Sequence, residues 1–193
     1  VFDNEGYRYF SIGERVAHFD NAQQLDRDGG KIYRLHDDGR IPADNPFVNT
    51  PGAKTAVYSH GHRNPQGLTL HPTTGQVWEH EHGPMGGDEI NIIQPGKNYG
   101  WPVITYGANY GTGTKIGEGT AKAGMLQPVL YWKPSIAPSG MTFYSGRNFP
   151  KWKGDLFVGT LASQLNGNGA AGYETANYTQ ILNNTFIDCH AIT

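Results

Sequence analysis

The chain has 193 residues, 37% of them hydrophobic and 17% charged, with 27 Gly and 12 Pro; that is enough for one well-buried core and suits short strands with tight turns better than a helical bundle. A formal net charge of −2 supplies no clustered basic surface, so neither nucleic acid nor anionic membrane is expected as a partner. The single cysteine, Cys189, excludes an internal disulfide and any cysteine-built zinc site, and no apolar run approaches membrane-spanning length.

Residues 1–13 hold two β-prone runs around an Asn-Glu-Gly turn, with Tyr7, Tyr9 and Ser11 on one face and Phe10 and Ile12 on the other. They read as a hairpin that starts mid-element, in place of a charged and then apolar leader. The segment KIYRLH (31–36) alternates and closes on an Asp-Asp-Gly turn, and 41–54 is a Pro- and Asn-rich loop. Short strands are predicted at 57–59, 67–70, 76–79, 89–93, 128–132, 140–144 and 155–160, with a Gly- and Thr-rich loop at 108–124. No window carries a persuasive helical period.

The runs VFDNEGYRYFSIGE, GLTLHPTTGQVWEHEHG and GMTFYSGRNFPKWKGDLFVGT share a layout of short apolar strand, Gly-containing turn and second strand. Repetition of this kind, one copy per sheet, predicts an all-β fold of about three propeller blades, each a four-stranded antiparallel sheet. Residues 1–164 form this half propeller. The stretch 165–193 contains no Lys or Arg, repeats nothing upstream, and reads as a non-homologous tail, frame-shifted or weakly ordered.

Charge and hydrogen-bonding groups converge between residues 59 and 102, where SHGHRNPQGL is followed by WEHEHGPMGGDEINIIQPGKNYGWP. His60 and His62, and again His80 and His82, are spaced i, i+2, which on a strand puts each pair on one face. Such pairs bind a transition metal when a third ligand is near; without one they are pocket or surface imidazoles. Arg63 is either an anion anchor or an ion-pair partner of Asp88 or Glu89. Trp78, Trp101, Trp132 and Trp152 read as packing between blades ahead of a sugar platform.

At GHRNPQGL (61–68), EHGPMGGDEIN (81–91), PGKNYGWP (95–102) and PSIAPSGMTFYSG (134–146) the chain resembles the soluble pyrroloquinoline-quinone-dependent sugar dehydrogenases, the aldose sugar dehydrogenase branch above all. The resemblance implies a six-bladed propeller, periplasmic or secreted, that oxidises the anomeric carbon of an aldose to a lactone with the quinone and calcium as cofactors. It implies that Arg63, Asn64, His82 and Ser135 contact the quinone and that Arg63, His82 and Asp88 serve catalysis. It further implies that the carbonyls of Gly83 and Pro84 hold the catalytic calcium, and that Glu89 and the backbone of Tyr99 belong to a second, structural one. The family's general-base His would precede Val1, and a cofactor-binding Lys is replaced at Ala162. A half propeller exposes apolar sheet faces, so a homodimer or higher homo-oligomer is expected. Two alternatives stand beside the dehydrogenase: a metal-dependent hydrolase of lactones or phosphoesters, and a non-catalytic carbohydrate-binding or structural fragment.

Overall fold

The computed structural model describes residues 1–15 and 18–161, and the backbone alone of 177–182 and 185–189. Within those residues the chain is all-β, with two single-turn 3-10 segments and no α-helix, and no helix long and apolar enough to cross a membrane. The strands fall into three consecutive antiparallel sheets. The first contains β1 (Tyr7–Ile12), β2 (Lys31–His36) and β3 (Val57–His60). The second contains β4 (Pro65–Leu70), β5 (Val77–Glu81), β6 (Asp88–Ile92) and β7 (Leu130–Trp132). The third contains β8 (Pro138–Phe143), β9 (Leu156–Thr160), β10 (Asn177–Leu182) and β11 (Thr185–Cys189).

In the second and third sheets the repeat seen in the sequence is the first hairpin, β4–β5 and β8–β9, and in the first it covers the start of the chain and β1. GLTL and GMTF open as Pro-x-Gly, at 65–67 and 138–140, and both inner strands carry a register shift there, between Pro65 and Gly67 and between Pro138 and Gly140. A proline lacks the donor a ladder needs and a glycine tolerates the bend, so the pair starts an inner strand at a bulge. The first sheet departs from the expected four strands. Residues Val1 and Phe2 extend beside β1 through a single bridge, Phe2 to Arg8, held by Tyr9 N–H donating to Val1 O at 2.8 Å. The expected tail boundary at 165 lies outside the described residues; β10 pairs with β9 along its backbone.

Alternation along the strands puts apolar side chains between sheets. Tyr9, Ile32, Val77, Ile93 and Tyr99 fill the seam between the first and second sheets. Ile90, Trp132, Ile136, Leu156 and Val158 fill the seam between the second and third, flanked by Trp78 and Phe143 in edge contact at 5.4 Å. Each fully buried aliphatic or aromatic side chain contributes about 1.5–3 kcal/mol, so the seams, more than the sheets themselves, hold the unit together. Trp78 and Trp132 thus pack between blades as expected, whereas Trp152 stays within its own hairpin, stacked on Phe149 at 4.3 Å.

Candidate functional site

The strand register places the sequence motifs on one rim. Pro65 pairs with Glu81, Glu81 with Glu89, and Asp88 with Trp132. The start of β4, the end of β5, the start of β6 and the end of β7 are therefore level with one another. The crossing 61–64, the turn 82–87 and the crossing 133–137 all emerge at that end. The PGKNYGWP loop climbs to the same rim: Tyr99 N–H donates to His60 O at 2.9 Å and Trp101 N–H to Gly61 O at 2.8 Å. Gly61 has φ +79°, and a Cβ on it would run into Asn98 and the backbone of Tyr99 and Gly100, so the close approach of the two loops requires glycine.

Both crossings are fastened by a buried carboxylate of the middle sheet. Glu81 Oε2 accepts from the backbone N–H groups of Arg63 at 2.5 Å and Asn64 at 3.1 Å. Asp88 Oδ2 accepts from Ile136 and Ala137 N–H, each at 2.8 Å, and from Ser135 Oγ at 2.5 Å, while its Oδ1 accepts from Gly83 N–H at 2.9 Å. In each case the two amides precede the proline that opens an inner strand. Asp88 is fully buried and its oxygens are committed to four donors. These contacts make Asp88 the tie between the turn at Gly83 and the 133–137 crossing, and Ser135, expected at the cofactor, donates its hydroxyl to Asp88.

Arg63 pairs with neither Asp88 nor Glu89. Its Nη1 donates to the carbonyls of His82 at 2.9 Å and Gly83 at 2.7 Å, and its guanidinium lies 5.3 Å from the Trp101 ring centroid. Its Nε is buried with no partner. A cation held on neutral carbonyls and an aromatic face keeps its charge uncompensated, which suits it to an anionic or electron-rich ligand. Asn64 lies beside it, its carbonyl accepting from His82 N–H at 3.1 Å. His82 turns its Nε2 to Pro138 O at 2.8 Å, linking the second and third sheets.

Arg63, Glu81, Gly83, Glu89, Tyr99 and Trp101 line one small cavity. Burial, then the charge of Glu81, pushes the Glu89 carboxyl well above its usual range, and the same two causes act on Glu79. A carboxylate so placed fits a hard, oxygen-seeking cation. Gly83 has no room for a side chain against Gly86 and Gly87, so its carbonyl is fixed by the tightness of the turn. A larger open concavity of about 990 Å³, lined by Ile12, Phe19 and Asn21 among others, contains none of the residues nominated from sequence.

The histidine pairs do not form the metal set their spacing suggests. His80 is fully buried on β5 against Gly67, where a Cβ would run into its ring, and burial lowers its pKa to about 4. His60 packs edge-on to Phe47 at 5.8 Å, and burial likewise lowers it to about 4. Among the described residues, the group of three possible ligands brought within reach of one ion is His62, Glu79 and Glu81. Glu79 and Glu81 were missed in the sequence, although the i, i+2 rule applied to the histidines beside them puts both carboxylates on one strand face.

Comparison with known proteins follows the same line. A family profile, Glucose / Sorbosone dehydrogenase, matches residues 1–179. Aldose sugar dehydrogenase YliI of Escherichia coli K12 is 52% identical over 163 residues, covering 83% of this chain and 43% of the relative. Quinoprotein glucose dehydrogenase B of Acinetobacter calcoaceticus is 35% identical over 161 residues, covering 79% and 32%. The apo-form of the soluble aldose sugar dehydrogenase of E. coli superposes with a TM-score of 0.85 at 43% identity, covering 97% of this chain and 51% of that one. The PQQ-bound form of aldose sugar dehydrogenase from Streptomyces coelicolor gives 0.66 at 29% identity, covering 93% and 42%. The chain thus spans about half the length, or less, of the relatives it matches, and its three sheets are blades of their β-propeller.

Proposed function

Because the chain belongs to the Glucose / Sorbosone dehydrogenase family, we propose that its rim carries the cofactor-facing part of a sugar-oxidising site, using pyrroloquinoline quinone and calcium on an aldose. The observation that carries this reading is Arg63: a guanidinium with no ion-pair partner among the described residues, set on loop carbonyls over Trp101, with its backbone pinned by Glu81. Bound there, the quinone would supply a two-electron acceptor for the anomeric carbon and the calcium a Lewis acid beside it. Arg63 would anchor the cofactor and stabilise the negative charge that reduction puts on it, and Asn64 would offer hydrogen bonds beside it. The carbonyls of Gly83 and Pro84 supply oxygen ligands for one calcium, and Glu89 with the Tyr99 backbone supplies them for a second. Asp88 and Ser135 hold the 133–137 crossing in place. Such oxidation of external sugars fits a periplasmic or secreted location, which we propose with it.

The relatives that carry functional names are dehydrogenases, so neither the hydrolase nor the non-catalytic reading is favoured. The test is a titration of metal-stripped chain with pyrroloquinoline quinone and calcium, read by absorbance and by aldose-dependent dye reduction. Saturable binding that Arg63→Ala weakens at least tenfold supports the proposal. Absence of binding by the folded chain overturns it.

A further inference from the structure

On the face of the middle sheet that meets the first seam, Glu79 and Glu81 of β5 lie opposite Asn91 and Glu89 of β6. Asn91 Nδ2 stands 3.1 Å from Glu79 Oε2, 3.4 Å from Glu81 Oε1 and 3.4 Å from Glu89 Oε2. The His62 ring closes over this group, stacked on Tyr99 at 4.5 Å. His62, Glu79, Glu81 and Asn91 are each at least 96% buried. His62 Nε2 is taken by Ser59 Oγ at 2.8 Å, which leaves Nδ1 as the free ring nitrogen. That nitrogen has no hydrogen-bond partner, and neither do Glu79 Oε1 and Asn91 Oδ1, all of them buried. His62 Nδ1 faces Glu81 Oε1 at 3.7 Å, too far for a hydrogen bond. Apart from His62, no cationic side chain among the described residues forms an ion pair with Glu79 or Glu81.

We infer that His62 Nδ1, Glu79 and Glu81 bind a divalent transition cation of the zinc class. One imidazole and two carboxylates form the mixed nitrogen and oxygen set such ions take. The Ser59 contact is the outer-sphere hydrogen bond that orients a ligating imidazole. The donor set differs from that of the calcium ions proposed above, which use backbone carbonyls and Glu89, and the inference does not depend on the sugar-oxidising reading. It gives Glu81 two duties: one oxygen on the ion, the other on the amides of Arg63 and Asn64, so that occupancy stiffens the anchor turn.

The experiment is a Zn²⁺ titration of the chelator-stripped full chain in the presence of millimolar Ca²⁺, followed by calorimetry and elemental analysis, with Co²⁺ as an optical probe. One equivalent is expected to bind, with a Co²⁺ spectrum showing nitrogen ligation. His62→Gln and Glu79→Gln are each expected to weaken binding at least tenfold, while Glu89→Gln leaves it within about twofold. Should a variant fold poorly, the wild-type stoichiometry, the Co²⁺ spectrum and the rise in Tm on adding Zn²⁺ decide. Three results overturn the inference: no stoichiometric Zn²⁺ on folded wild type, displacement of Zn²⁺ by equimolar Ca²⁺, or binding lost with Glu89→Gln and kept with Glu79→Gln.

Discussion

Asp88 shows how far a side chain's surroundings can override its chemistry. A carboxylate that follows a Gly-rich turn has the composition of a reacting group. Here it is fully buried and accepts from Gly83, Ser135, Ile136 and Ala137. Removing it leaves the buried amides of Gly83 and Ile136 without an acceptor, each costing about 1–3 kcal/mol, while the half-buried Ala137 amide keeps Ser135 Oγ at 3.3 Å. Asp88→Ala is therefore expected to destabilise the chain by at least about 2 kcal/mol, and Ser135→Ala by only about 1 kcal/mol. Urea unfolding with an unchanged m-value checks both; equal effects would mean that the amides find other acceptors. The motifs that carry the family resemblance named Arg63, Asn64 and Gly83 as a set, and the strand register puts them on one rim. The sequence did not reveal which carboxylates face a cavity and which face amides, because that depends on a crossing 47 to 49 residues away in the chain.

At the scale of elements, β2 begins with a buried lysine. Lys31 Nζ donates to the carbonyls of Asn21 at 2.6 Å, Ala22 at 3.1 Å and Gly29 at 2.7 Å, gathering residues 21–29 onto the strand. Lys31→Met should cost about 3 kcal/mol or more, since three carbonyls lose a charged donor. Burial lowers the Lys31 pKa from 10.5 to about 8. Between those values the unfolded chain binds the proton and the folded chain does not, so this group makes stability rise with pH across the window. Below about pH 8 its desolvation penalty stands in full. The difference in Tm between wild type and Lys31→Met should therefore widen from pH 8 to 10; a flat difference would show that the ammonium keeps its proton. Strand β2 was readable to the residue because the β-prone run KIYRLH closes on an Asp-Asp-Gly turn. The fastening by Lys31 was not, because a lysine at a strand start ordinarily reads as solvated.

For the whole molecule, three sheets joined through two apolar seams leave the outer faces of the first and third without a neighbouring sheet among the described residues. Phe2 and Phe10 on the first sheet and Leu161 after β9 are exposed at 67%, 38% and 63%. As a separate polypeptide the chain is proposed to cover these faces with a second copy, as expected from its sequence. Light scattering at micromolar concentration should give twice the monomer mass or a higher multiple; a strict monomer refutes the pairing. The blade count was legible because each copy of the hairpin repeat marks one sheet. The incomplete first sheet was less so, since Val1 and Phe2 make one bridge and no ladder.

Both sheet-to-sheet crossings are fastened from the middle sheet, by Glu81 at the end of β5 and Asp88 at the start of β6. The middle sheet is consequently the hub of a three-member linkage. Damage to either outer member leaves one joint working, whereas damage to the hub disconnects both neighbours at once. Tolerance to change should therefore be lowest in the middle of the chain and should rise toward both ends.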